Sequence, residues 1–196
     1  LVHTTYTELP IVQRGKNLFD ISKVTSFVGT DYTTNKDTYA TISDGIVTSK
    51  IGGYGSPAIW KDSKINLPAG TYTLSADCMA DKDSGDKMVS IRVYNLTLGK
   101  LIGKLHTLSA YRTWERLSSE IVLEAESEVA ILIQGSGTKD DYRNLQIKIK
   151  NVQFEMGNSA TAYEEYKENT VTAFLDNALS AGEYIDLVNK KLHSAD

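Results

Sequence analysis

The chain has 196 residues, is 41% hydrophobic and 23% charged, and carries a net charge of −4 with a pI of about 5.4. That profile excludes a disordered chain and fits one folded domain of ordinary size with extra segments, or two small domains. No Lys/Arg-rich run points to nucleic acid or an anionic membrane, and no apolar run is long enough to cross a bilayer.

In chain order, the opening "LVHTTYTELP" has neither an initiator Met nor a signal-peptide pattern and reads as the middle of a longer polypeptide. Further on, "AGTYTLSADCMA" alternates Tyr72, Leu74, Ala76 and Cys78 with Thr73, Ser75 and Asp77, a period of two that marks a strand with Cys78 on its inward face. Cys78 is the single cysteine, which excludes an intrachain disulfide and a thiolate metal cluster; the alternation predicts a buried, inert thiol. "MVSIRVYNL" places Val89, Ile91 and Val93 inward, with Ser90, Arg92 and Tyr94 outward. "SEIVLEAESEVAILIQG" repeats the pattern with Ile121, Leu123, Val129, Ile131 and Ile133 around a turn expected near Glu126 to Glu128. Turn signals separate these runs in "LPAG", "DKDSGDK", "TLGK" and "GSGTKDD". Short alternating strands at this spacing predict an all-β sandwich or barrel, and no long helical pattern precedes residue 178.

"LQIKIKNVQFEM" breaks its own period. Leu145, Ile147 and Ile149 are apolar at odd positions, whereas Val152, Phe154 and Met156 are apolar at even ones. A bulge at Lys150-Asn151 restores a common face; the alternative is that both faces are covered there. Beyond Gly157, "NSATAYEEYKE" is expected to run extended along the sandwich with one or both tyrosines docked. The tail offers two readings: "SAGE" as a helix capping box, or "YIDLVNKKLHS" as a hairpin turning at Asn189-Lys190. No internal repeat or low-complexity tract is present.

Catalytic motifs are absent: no G-x-S-x-G, H-E-x-x-H, P-loop or dinucleotide-binding glycine pattern occurs. His3, His106 and His193 are scattered and make no metal site, and His106 reads as a loop or strand-edge residue. The acidic clusters "DKDSGDK" and "TKDDYRN" fall at predicted turns, where Asp stabilises the turn. The first is no EF-hand, because Asp86 stands at its sixth position and Arg92 at its twelfth.

Four segments in order, "GKNLFDISKV", "INLPAGTYTLSA", "YRTWERLSSEIVL" and "IKNVQFEMGNSATAYEEYKENT", resemble the jelly-roll, carbohydrate-binding-module-like domains of tail and baseplate proteins of phages that infect Gram-positive bacteria. The resemblance spans about residue 9 to residue 170. It implies a jelly-roll β-sandwich over residues 14–168, a leading segment 1–13 from a parent tail protein, and an exit segment 169–196 that starts the next unit. Within that frame "NVQFEMGNSATAYEEYKENT" is the closing strand and exit of an inserted module, with Tyr163 and Tyr166 stapling the departing chain. The implied function is non-catalytic binding of bacterial cell-wall polysaccharide, at the phage tail tip or baseplate and acting on the host surface, with other tail proteins as partners and neither nucleic acid nor membrane. A structural insert that binds no sugar, a protein-binding adhesin and a fragment of a glycan-degrading enzyme are the competing classes.

No cofactor is needed for this function. The resemblance also suggests a structural calcium held by strand-end oxygens, for which Asp20 and Glu155 are the matching candidates. Sugar binding needs aromatic faces for the C–H faces of a pyranose and planar polar groups for its hydroxyls. Tyr72 and Phe154 read as core and Trp114 as sandwich edge. The candidates left in loops or on polar faces are Tyr54, Trp60, Tyr94, Tyr111 and Tyr142, with Arg112, Asp140 and Arg143, beside Asp141, as hydrogen-bonding partners.

Overall fold

A computed structural model of the chain describes residues 7–37, 40–50, 58–81, 88–136, 146–175, 184–186 and 191–193. Strand β1 (Thr7–Arg14) is followed by one turn of 3-10 helix at Ile21–Lys23, then by β2 (Phe27–Val28), β3 (Ala40–Ser43), β4 (Ile46–Lys50) and β5 (Ile59–Trp60). Next come β6 (Ile65–Leu67), β7 (Gly70–Ala80), β8 (Met88–Asn95), β9 (Lys100–Thr107), β10 (Glu115–Leu123), β11 (Ser127–Ser136) and β12 (Gln146–Met156). The last strands are β13 (Glu168–Leu175), β14 (Tyr184–Asp186) and β15 (Lys191–His193).

The chain divides into two compact units, one made of Gly15–Lys167 and the other of the segments on either side of it. In the flanking unit, β1 and β13 form an antiparallel ribbon from Thr7↔Leu175 to Arg14↔Glu168, closed by an Arg14–Glu168 ion pair at 3.2 Å. β14 and β15 pair antiparallel, Tyr184 with His193 and Asp186 with Lys191. The strand reading of the tail therefore holds over these residues; Ser180–Glu183 and Asn189-Lys190 lie outside the described residues.

The larger unit is a jelly-roll β-sandwich. A five-stranded sheet in the order β10-β7-β12-β4-β3 faces a four-stranded sheet in the order β6-β11-β8-β9, with every pairing antiparallel. From β6 to β12 the chain changes sheet at each connection except the β8–β9 hairpin. The period-two residues do what alternation requires: Tyr72, Leu74, Ala76, Cys78, Val89, Ile91, Val93, Ile131 and Ile133 are all fully buried between the sheets. Burial, with Asp77 beside it, pushes the Cys78 thiol well above its ordinary value, so it stays protonated and inert.

The irregular period of β12 resolves into a bulge. Its pairing with β7 runs from Lys150↔Asp77 to Gln153↔Ser75, so three steps on β12 oppose two on β7, and Asn151 takes the left-handed φ of 50°. Ile147 and Ile149 before it, and Val152 and Phe154 after it, thereby bury on one face. Met156 corrects the expectation for the last even position: it is 71% exposed, beyond the end of the inner face. The turn between β10 and β11 also falls earlier than expected, at Glu124–Glu126, because Glu128 pairs with Asn66 inside β11.

Strand β11 is buried on both faces. Its outward Ala130 and Leu132 pack with Val28 and Ile59 of the β2–β5 pair, which covers part of the four-stranded sheet from outside.

A cleft between the leading and closing segments

Gln153 and Glu155 stand on the outer face of the five-stranded sheet, opposite Val152 and Phe154, yet both are at most 1% exposed. The cover is the closing segment, residues 157–167. The Thr161 N–H donates to Glu155 Oε1 at 2.9 Å and its hydroxyl to Oε2 at 2.6 Å. Gln153 Nε2 donates to Glu155 Oε1 at 2.6 Å, and the Glu164 N–H to Gln153 Oε1 at 2.7 Å. Burial acts to raise the Glu155 carboxyl, but the Thr161 and Gln153 donors, with Lys16, outweigh it and hold it below its ordinary value.

Asn17 joins the same segment to β12 and to the stretch of chain before the 3-10 turn. Its Nδ2 donates to Val152 O (3.0 Å) and Glu164 O (3.1 Å), while its Oδ1 accepts from the N–H of Phe19 (3.1 Å) and of Phe154 (3.0 Å). One buried amide thus meets its full hydrogen-bonding capacity on the leading segment, the bulged strand and the closing segment. The Gly15 N–H donates to Lys167 O at 2.8 Å, bringing the two ends of the unit together.

Between these segments lies a cleft of about 450 Å³. Its walls are Phe19–Ser22, the β3–β4 turn at Asp44–Ile46, the bulge at Lys150–Val152, and Tyr163, Glu165 and Tyr166. Asp44-Gly45 is a two-residue hairpin loop with φ of 51° and 71°, the left-handed pair that an Asp-Gly sequence accommodates. Asp20 caps the 3-10 turn, its Oδ1 accepting from Ser22 N (3.0 Å) and Ser22 Oγ (2.6 Å). Arg116 secures the bulge: Nη1 donates to Asn151 O (2.6 Å) and Asp77 Oδ1 (3.2 Å), and Nη2 to Ser75 Oγ (2.8 Å). The Arg116 guanidinium also lies 5.8 Å from the Tyr163 ring centroid, and Lys23 Nζ lies 5.4 Å from that of Tyr166. Burial, and then the Glu165 carboxylate, raises the Tyr163 hydroxyl above its ordinary value. The cleft therefore combines two phenol rings, each beside a cation, with the carboxylates of Asp20, Asp44 and Glu165. Such a volume and lining suit a small polar ligand with apolar faces.

The residues singled out in the sequence are dispersed. Trp60 is a correction: it is fully buried, donates Nε1–H to Ile133 O at 3.2 Å, and packs against Phe19 and Phe27 at centroid distances of 5.8 and 6.2 Å. No ligand reaches its face. Tyr94 is half-buried over the four-stranded sheet, against the cluster around Leu132. Tyr111 packs partly into the main core beside Ala80, and Arg112, at φ 54°, donates its N–H to Ala80 O at 2.7 Å. None of these three lines the cleft. Tyr54, Asp140, Tyr142 and Arg143 lie outside the described residues. Of the two calcium candidates, Asp20 is in the cleft wall, whereas Glu155 has both oxygens occupied by protein donors. Among the described residues no three His, Cys, Asp or Glu side chains converge as a metal-ligand set. The cleft residues that sequence reasoning missed are Asp44, Lys150, Asn151 and Glu165; the Asp-Gly dipeptide and the broken period of β12 were their signals.

Fold and cleft together define a jelly-roll β-sandwich with a ligand-sized cleft beside its five-stranded sheet. The chain resembles the tripod (BppUct-A-L) from the baseplate of bacteriophage Tuc2009, with 14% identity, a TM-score of 0.49, and coverage of 89% of this chain and 76% of that one. It also resembles the CBM22-1 xylan-binding domain from Paenibacillus barcinonensis Xyn10C (10% identity, TM-score 0.38, 66% of this chain and 92% of that one). A third is a β-1,3-glucan-binding CBM6 from Bacillus halodurans (14% identity, TM-score 0.32, 60% and 81%). At these identities and TM-scores the likenesses concern architecture and not function. No protein-family model matches the sequence, and no curated protein matches it.

Proposed function

We propose that the chain binds a saccharide of the bacterial cell wall without catalysis, as an accessory adhesion module inserted in a phage tail protein. The observation that carries this reading is the cleft, where Tyr163 and Tyr166 offer ring faces beside Asp20, Asp44 and Glu165 as hydroxyl acceptors. The clasp between Gly15 and Lys167 supports insertion, because a module whose two ends meet can leave and rejoin a host chain at one place. The phage-tail setting comes from the resemblance of the four sequence segments. Binding of this kind needs no cofactor. A single shallow site binds weakly, and several copies on a symmetric tail tip raise avidity through effective concentration.

A structural insert that binds no sugar is the second reading. It is favoured by the cations beside both tyrosine rings, which give those rings a stapling task of their own. The test is to display the chain multivalently as a fluorescent fusion on Gram-positive cells and on cells stripped of wall polysaccharide. Adhesion is expected to disappear on stripping, to be competed by soluble wall polysaccharide, and to fall in Tyr163→Ala/Tyr166→Ala. Absence of adhesion on every strain supports the structural insert, and turnover of isolated polysaccharide would instead reveal an enzyme.

A further inference from the structure

The polar groups of the cleft wall are unevenly divided between donors and acceptors. Its side-chain donors, apart from the two phenols, belong to Ser22, Lys150 and Asn151, and each is already committed within the protein. The Ser22 hydroxyl donates to Asp20 Oδ1 at 2.6 Å, and Asn151 Nδ2 donates to Asp77 Oδ2 at 2.7 Å. Lys150 Nζ lies 4.2 Å from the centroid of the Trp114 ring, which is not part of the wall. The cations beside the tyrosines are paired as well, Lys23 with Asp20 at 3.8 Å and Arg116 with Asp77 at 3.2 Å.

The acceptors are in a different position. Asp44 and Glu165 stand exposed in the wall, and no ion-pair partner for either occurs among the described residues. Asp44 Oδ2 accepts from the Ser43 hydroxyl at 3.0 Å, and two carboxylates have capacity for several donors more. The Glu165 charge reaches the Tyr163 hydroxyl, so carboxylate and ring act on one region of the cleft. Committed donors, open acceptors and electron-rich ring faces suit a ligand that brings protons and positive charge. A sugar hydroxyl brings one proton, whereas an ammonium brings three and no lone pair.

We infer that the cleft selects an amino sugar with a free ammonium over sugars carrying hydroxyls alone, with Asp44 and Glu165 setting the preference. This preference rests on the saccharide reading of the cleft and adds the class of sugar to it. The experiment titrates the whole chain by calorimetry with glucosamine tetramer and with cellotetraose, β-1,4 chains that differ in an amine or a hydroxyl at each C2. A pH of about 5.5 lies above the ordinary Asp and Glu values of about 3.9 and 4.3 and keeps the amine protonated. The amino form is expected to bind about five-fold more tightly at about 0.01 M salt, the scale of exposed charge pairs, and to lose part of that margin at about 0.15 M. Asp44→Asn/Glu165→Gln should bring the ratio near one, and Asn-Gly suits the same hairpin turn. Tyr163→Ala/Tyr166→Ala is expected to weaken both sugars together.

Equal binding of both sugars by the parent chain, with both lost in the tyrosine variant, would overturn the amino-sugar preference and leave the saccharide reading standing. Binding that ignores the tyrosine variant would sink both. Absence of binding by either sugar, a margin indifferent to salt, or one that survives Asp44→Asn/Glu165→Gln would refute the preference, and adhesion to cells then decides the saccharide reading separately. The salt series needs no variant, so it serves even where one does not fold.

Discussion

Single polar side chains carry much of the arrangement around the cleft. Removing the Asn17 amide strands two N–H groups and two carbonyls in the interior, each at about 1–3 kcal/mol when left unpaired. Asn17→Ala is therefore expected to lower stability by about 3 kcal/mol or more in urea denaturation, and to weaken the proposed saccharide adhesion although Asn17 is not in the cleft wall. Trp60→Ala should cost about 3–5 kcal/mol through lost burial and a cavity. Glu155 gives a pH signature. Its folded carboxyl lies below the ordinary value, so its stabilisation is present above the unfolded value of about 4.3 and is lost as pH falls through the folded one. The stability advantage of the parent over Glu155→Gln, followed as Tm against pH, should be largest near neutrality and vanish in that acid window. An advantage independent of pH would contradict the account.

Among the elements, the long strands and the bulge were legible because both obey the pleat: one extra residue at Asn151 is the way two apolar parities share a face. Deleting Asn151 should straighten β12 and keep Ile147, Ile149, Val152 and Phe154 on one face, so calorimetry should show a cooperative transition that is retained but moved to lower temperature by loss of the Arg116 and Asp77 hydrogen bonds to Asn151. The site was less legible. Trp60 reads as a loop aromatic because β5 is two residues long and has no period to reveal, yet the short β2–β5 pair buries it. Gln153 and Glu155 look like solvent-facing strand residues, and only the return of the closing segment over them makes them interior. That contact joins positions distant along β12 and the chain beyond it, a pairing that no local pattern announces. The Asp44-Gly45 turn was the local signal for one cleft wall, and it needed the bulge and the closing segment to become part of a site.

For the whole molecule, the sandwich holds its own core between two sheets and is expected to fold without its flanks. A fragment of Gly15–Lys167 should give dispersed NMR spectra and a single cooperative unfolding transition; a molten fragment would mean the ribbon contributes to the core. The Gly15–Lys167 clasp has a consequence for descent as well. Arg14 and Glu168 are already opposite each other in the β1–β13 register, so replacing everything between them with a short turn leaves a hairpin whose two strands keep their pairing. A gene could therefore gain or shed the module in one recombination step, and a lineage could exchange one inserted module for another while the strands carrying it stay the same.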